Sequence, residues 1–442
     1  MTKLQSTIFF LLFILFFHVT THAQGSWERL EVPTGRFLRS LYFTDSLCGW
    51  LVGDSGTILH TLDGGTSWST QQSNTFNDLV SVFFLDRNLG WASSFNYSTL
   101  PYGTLLLKTE DGGANWTGIP YPEDNIFITC ILFTDPMTGW MGGKPHALVK
   151  TVNGGADWAQ AAIDTSILAF FPVLGIKFYN EKYGYACGGM FDIAGVTWRT
   201  TNGGDSWAAM DVSDAPADEV HQLHIYDSLH VMGAGGDPDF GYGVGLLRTS
   251  DGGLNWDYEE LGVQGTAYDI AFRNDQEVWA PLGPRRKLIR SDDGGTSWAE
   301  LPSPDSTVIY KMVFTDSLHG FAAGAEGAFI RYRHPGNLAV PPGPVYHGVP
   351  VLSRNYPNPF SGTTTIGITI PAGEPQFIRI LVFDVLGNPV ARLVNAQLAP
   401  GEHEVVFDAA GLPGGIYLYR MEIIRDGVTE SVGFPQKMIC LD

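Results

Sequence analysis

Cysteine is scarce in this chain, with only Cys48, Cys130, Cys187 and Cys440 in 442 residues. So few thiols make no disulfide framework, and each reads as an isolated buried group. Cationic side chains are also few, 26 Lys and Arg against 46 Asp and Glu, for a formal charge of −20. That balance repels nucleic acid and anionic membrane surfaces, and it favours solubility or cation binding. Beyond residue 23 no stretch is apolar enough to read as a membrane helix, so no integral membrane segment is expected. Zinc-ligand spacing, a phosphate-cradling glycine loop and a Gly-x-Ser-x-Gly elbow are all missing, which removes three common routes to catalysis.

Residues 1–23 have the pattern of a secretory signal: Lys3, an unbroken apolar run over 8–17, and Thr21-His22-Ala23 ending on a small residue. The run is too short to span a bilayer. No Cys follows the expected cut, so no lipid anchor is expected there.

The most informative feature is one phrase written six times: Thr/Ser, any residue, Asp/Asn, Gly, Gly, two variable residues, Trp. Its copies end at Trp68, Trp116, Trp158, Trp207, Trp256 and Trp298, at steps of 42 to 49 residues. Such a period signals small units that bury their apolar faces only against one another. Chemically the phrase is a tight turn between strands. The acceptor side chains of Asp63, Asp111, Asn153, Asn202, Asp251 and Asp293 bind turn N–H groups, and the glycine pair supplies positive φ. Asn at two of the six positions keeps the acceptor without the charge, so the position calls for a hydrogen bond rather than a metal or a catalyst.

Upstream of each phrase run two further strands, such as Leu41-Tyr42-Phe43 and Gly49-Trp50-Leu51-Val52, and a third enters the turn. Four short strands per unit make a propeller blade. The first-strand motif occurs seven times, the last at Met312-Val313-Phe314, with no turn phrase after it. The orphan strand around Trp27 supplies the missing fourth strand, so the chain ends pair and close the ring. The expected fold is all-β, with a seven-bladed β-propeller over 25–334.

The turn phrase resembles the Asp box, and the repeat with its Gly-Trp second strand is similar to seven-bladed photosystem II stability and assembly factors. The resemblance covers most of 25–334 and implies no photosynthetic role by itself. Sialidases, sortilin-type receptors and xyloglucanases share the Asp box more loosely. The arginine motif expected near a sialidase N-terminus is absent, since Gly35-Arg36-Phe37-Leu38 does not match it, and the double propeller expected of a xyloglucanase is missing.

Residues 335–350, with Pro341-Pro342-Gly343-Pro344, read as a semi-rigid linker. Over 351–442, alternating strands begin at Thr364, Ile378, Pro389, Gly401 and Leu412 and end at Lys437-Met438-Ile439, which predicts a small Ig-like β-sandwich. With Asn355-Tyr356-Pro357-Asn358-Pro359-Phe360 ahead of them, these strands resemble the type A sorting domain of the type IX secretion system of Bacteroidetes-like bacteria. Phe407 stands where that family often has Trp, and Cys440 is unusual in the last strand. The resemblance implies passage through the periplasm, the secretion machinery as partner, and a final place outside the cell or attached to its surface.

Eleven of the twelve Trp occupy repeat positions, Trp198 being the exception, so their number says nothing about carbohydrate binding. Irregularities say more. Insertions at 95–103, 163–173, 190–196, 211–219 and 235–245 fall on the face opposite the Asp boxes. That face is the candidate ligand surface, with Phe95, Tyr97, Tyr102, Phe191, Asp192, Phe240, Tyr242, Arg285 and Arg286. Lys287 extends the basic run, and Asp211, Asp214, Asp218, Glu219, Asp237 and Asp239 supply carboxylates. Asp237 and Asp239 are the candidate calcium ligands, and no other cofactor is expected. The favoured function is a non-catalytic binding or assembly module for a glycan or protein, with no catalytic residue assigned. The alternative is a glycoside hydrolase of sialidase-like or other Asp-box type, which needs two placed carboxylates.

Overall fold

The computed structural model describes residues 25–164, 166, 168–216, 218–237, 243–334, 350–370, 375–384, 388–425 and 428–441. The expected signal at 1–23 and nearly all of the expected linker lie outside them, as do Asp239, Phe240 and Tyr242. The chain divides into two compact units at residue 338.

Seven sheets form the first unit, each built on four antiparallel strands. The first blade shows the plan: strands Leu38–Phe43, Gly49–Gly53, Thr57–Thr61 and Ser69–Gln72, laid side by side in sequence order. The seventh blade takes Ile309–Phe314, Gly320–Gly324 and Phe329–Arg333 from the end of the repeats and Ser26–Arg29 from their start. Trp27 lies opposite Tyr332 in that pairing, so the ring closes as the motif count requires.

The Asp box does what its residues dictate. Asp63 Oδ1 accepts from the Ser67 N–H at 2.8 Å and from the Thr61 hydroxyl at 2.8 Å, while Thr61 Oγ1 accepts from the Gly65 N–H at 2.9 Å. Gly64 and Gly65 have φ of +67° and +79°, and a Cβ on Gly65 would come within 2.4 Å of the Phe329 ring. The partner four residues on matches the acceptor's chemistry. Asp63 Oδ2 accepts from the Ser67 hydroxyl, whereas the Asn153 amide donates to Asp157 Oδ2 at 3.0 Å. Donation from Asn255 and from Ser297 pulls the Asp251 and Asp293 carboxyls down to about 2.

These contacts make a prediction. Asp63→Ala strips acceptors from the turn and costs about 1–2 kcal/mol. Asp63→Asn is near neutral, because Asn202 already donates to Ser206 Oγ in the same geometry. Asn153→Asp is worse than Asp63→Asn, since it sets two carboxylates against each other. Urea unfolding of the three variants checks the order, and equal losses for the two Asp63 changes would restore a role for the charge.

Ring stacking seals adjacent blades. Trp50 lies flat on Phe84 at 3.5 Å and Trp91 on Phe133 at 3.7 Å, each from one blade onto the next. All twelve Trp are buried or half-buried, and Trp198 is fully buried, its Nε1 donating to the Ala169 carbonyl. The tryptophans are scaffold.

Two features depart from the sequence reading. The insertions at 95–103, 190–196 and 235–245 are partly strand: Gly90–Asn96 pairs with Gly103–Thr109, and Gly184–Met190 with Ala194–Thr200. Lengthened hairpins, rather than slack loops, therefore rise from the second, fourth and fifth blades. The fourth blade also gains a fifth strand, Ala162–Ile163, running parallel to Ser206–Ala209.

The second unit has a three-stranded sheet from Val351–Tyr356, Thr363–Ile370 and Gly401–Asp408. A four-stranded one comprises Gln376–Phe383, Pro389–Leu398, Gly415–Arg425 and Val428–Cys440. Their apolar faces share a core with buried Phe360, Phe407, Tyr417, Tyr419 and Met438. Phe407 fills its place edge-on to Phe360 at 5.9 Å. All four cysteines are free thiols, and burial pushes those of Cys130 and Cys187 up to about 12.

Candidate functional site

The innermost strand of each blade starts on the face opposite the Asp boxes, because the turn phrases join third to fourth strands. In six blades the pairing of that strand slips by one residue after its first or second position. A bulge of this kind leaves one residue out of the ladder and re-aims its side chain. The bulged residues are Arg39, Val80, Thr129, Leu174, His221 and Tyr310, and Tyr268 holds the same place in the sixth blade. All seven are partly exposed, whereas Leu38, Leu79, Ile128, Val173, Val220, Ala267 and Ile309 just before them are buried. The bulge thus turns one side chain per blade to line the mouth of the central channel.

These side chains touch around the ring. His221 meets Tyr268 at 5.2 Å, Tyr268 meets Tyr310 at 4.8 Å, and Tyr310 meets Phe37 at 5.0 Å. Arg39 covers the Phe37 ring at 4.7 Å and is paired with Asp54 and, at 3.5 Å, with Asp78. Next come Phe95, Tyr97 and Phe127, with Tyr97 stacked on Phe127 at 4.6 Å. Lys144 of the third blade reaches Glu219 at 3.6 Å and carries the circuit past the fourth. The result is an aromatic collar broken by two paired cations.

Burial sets its protonation. It drives the His221 imidazole down to about 3, helped by the charges of Lys311 and Lys144, so this ring is neutral. Burial also raises the Tyr97, Tyr268 and Tyr310 hydroxyls, leaving neutral donors. Glu219 is raised by burial against the pull of Lys144. The carboxylates here are engaged: Asp54 and Asp78 with Arg39, Glu219 with Lys144, and Asp218 Oδ1 with the Glu219 N–H. Such a set of groups presents ring faces and hydroxyls rather than free charge.

The sequence-derived residues divide among several places. Phe95 and Tyr97 belong to the collar. Tyr102 is exposed beyond it, and exposed Phe191 sits beside Asp192, at φ +56°, on the fourth-blade hairpin tip. Arg286 is committed to the next blade, through the Ser306 carbonyl and Glu326, and Lys287 pairs with Glu300. Two members of the basic run are thus engaged within the propeller, while Arg285 is exposed. The pairing of Asp237 and Asp239 as calcium ligands lies outside what is described. Phe37, Arg39, Phe127, Lys144, His221, Tyr268 and Tyr310 were missed. Arg39, His221, Tyr268 and Tyr310 recur at one position near the start of the first strands, but only the register across the sheet singles that position out.

Comparison with known proteins agrees with this architecture. The model of the photosynthesis system II assembly factor YCF48 family matches residues 19–126 and 262–333, and that of the secretion system C-terminal sorting domain matches 354–432. Photosystem II stability/assembly factor HCF136 of Arabidopsis thaliana is 26% identical over 335 residues, spanning 70% of this chain and 79% of that protein. Among solved structures, YCF48 bound to D1 peptide aligns with TM-score 0.55 and 23% identity, covering 70% of this chain and 97% of that one. The GH74 xyloglucanase of Xanthomonas campestris aligns with TM-score 0.54 and 15% identity, covering 84% and 63%. The fold is shared with both solved structures. The C-terminal match marks the chain for export by the type IX secretion system, to the cell surface or beyond.

Proposed function

We propose that this exported propeller, which resembles the photosystem II stability and assembly factors in its repeats and carries a type IX sorting domain, is a non-catalytic binding or assembly module. Its ligand, a protein segment or a glycan, is held at the channel mouth opposite the Asp boxes. The observation that carries the reading is the collar itself: partly exposed rings from consecutive blades, in contact with one another, with His221 and Tyr310 set at bulged positions. Aromatic faces with hydroxyl tips suit both ligand classes. Proteins of similar sequence are named for assembling another protein, and one solved relative holds a peptide, which favours the protein segment.

Peptide and glycan arrays, with chromogenic glycoside turnover alongside, test this on the purified protein. Binding without turnover is expected. Tyr97→Ala and Tyr310→Ala each weaken it roughly tenfold, about 1.4 kcal/mol. Undiminished binding by the double variant, or steady glycoside turnover, would overturn the reading.

A further inference from the structure

Strand register lays the seven blades over one another, and the first blade departs from the rest at one position of its third strand. Opposite the second residue of the second strand, six blades carry a cation: Lys108, Lys150, Arg199, Arg248, Arg290 and Arg331. Some of these long side chains cross to the Asp box of the next blade. Lys150 reaches Asp205 Oδ1 at 2.6 Å, and Arg331 donates to the Gly64 carbonyl at 3.2 Å. In the first blade the position is His60, opposite Trp50. An imidazole is too short for that crossing. The corresponding carbonyl, Gly112, is served instead by Trp50 Nε1 at 3.1 Å and Gln71 Nε2 at 2.8 Å.

Where the longer side chain would lie, a cavity of about 340 Å³ opens in the seam between the first and second blades. His60 and Cys48 line it from one blade, Asp111 and Gly112 from the other. Cys48 is a second departure from the repeat, since Leu89 and Thr138 hold its place in the next two blades. Its Sγ lies 3.6 Å from His60 Nε2, and the imidazole is stacked on Trp50 at 4.7 Å. A soft sulfur and a ring nitrogen thus meet at one cavity wall, the ring fixed by its stack. Burial raises the thiol and lowers the imidazole, so the pair is neutral and makes no thiolate–imidazolium nucleophile.

We propose that Cys48 and His60 together bind one thiophilic cation, Cu(I), in this seam. An ion about 2.3 Å from a sulfur and about 2.0 Å from a ring nitrogen, at a tetrahedral or trigonal angle, sets the two roughly 3.5–3.7 Å apart. The observed spacing falls in that range, so the ion replaces the thiol proton with little movement of either side chain. That proton leaves to solvent as the sulfur–copper bond forms. Asp111 serves its own turn, accepting from Thr109 and Asn115, and among the described residues no third His, Cys, Asp or Glu joins the pair as a ligand. A structural Zn(II) site takes four protein ligands, whereas Cu(I) is content with fewer and favours thiolate. The site lies on the Asp-box face and uses no residue of the collar, so it stands or falls separately from the function proposed above.

Anaerobic titration of the full chain with Cu(I) held by the chromophoric chelator bicinchoninate tests the site. The wild-type protein should take up one ion more per chain than Cys48→Leu, which carries the second blade's residue at that position. His60→Lys copies the second and third blades and should weaken the uptake at least roughly tenfold. X-ray absorption of the wild-type protein at one equivalent of Cu(I) should show both sulfur and imidazole nitrogen bound to the metal. That measurement decides the matter even if neither variant folds. Equal uptake by folded Cys48→Leu, undiminished affinity in folded His60→Lys, or copper bound to sulfur without imidazole would each overturn the site.

Discussion

Deleting residues 25–33 lowers the melting temperature of the propeller by roughly 10 °C or more, measured by scanning calorimetry. The deletion removes Ser26–Arg29 from the seventh blade and bares the Phe329–Arg333 edge along its whole length. It also removes Trp27, which is 8% exposed and packs edge-on against Trp279 at 5.9 Å, Phe314 at 5.5 Å and Tyr332 at 5.4 Å. Losing a buried tryptophan of this kind costs about 3–5 kcal/mol. Glu28 goes too, leaving Arg331 and Arg333 without the carboxylate they share.

The seam beneath is poorly suited to exposure. Glu277 is buried there, accepting from Trp279 Nε1 at 2.8 Å and the Tyr332 hydroxyl at 3.0 Å while paired with Arg273 at 2.8 Å. Water admitted past the missing strand weakens each of those contacts. The open edge should also pair between molecules, so the truncated protein should sediment as oligomers. A truncation that stays monomeric and melts within a degree or two of the full chain would mean that the ring does not depend on this strand.

The sequence was most legible where the physics is local. Each Asp box is eight consecutive residues whose acceptor, glycines and ring find one another within a single turn, so a phrase read from left to right already contains its structure. Closure was legible by arithmetic, because seven first strands and six turn phrases leave one strand to be supplied by Trp27 and its neighbours. The collar was not. A bulged residue is defined by the register of two strands, and Arg39 or Tyr310 is singled out only once its neighbours are paired across the sheet. Arg286 and Lys287 looked like free charge for a related reason: their partners Glu326 and Glu300 lie 40 and 13 residues further along. In the tail, the long last strand Val428–Cys440 was read only at its end, because Pro435 interrupts the pattern that marks a strand.

Removing 351–442 should leave a folded propeller in the periplasm of the native host, with none outside the cell. Two observations support the folding half of that expectation. The apolar clusters of the propeller draw on residues from Trp27 to Tyr332, and those of the tail on residues from Leu352 to Cys440. Among the described residues each buried cluster belongs to one unit, so the melting temperature of the propeller should change little. The export half follows from the match of 354–432 to the secretion sorting domain. That segment has its own two sheets and closes on itself through Phe360, whose N–H donates to the Ile439 carbonyl at 3.0 Å and whose carbonyl accepts from the Leu441 N–H at 2.8 Å. A self-contained sandwich can serve as an address independently of its cargo. Fused behind a signal peptide to an unrelated reporter, 351–442 should therefore carry that reporter out of the cell. Cell fractionation with immunoblotting reads both results. If the truncated chain still reached the medium or the cell surface, the address would have to lie in the propeller, and the tail would become a second binding module.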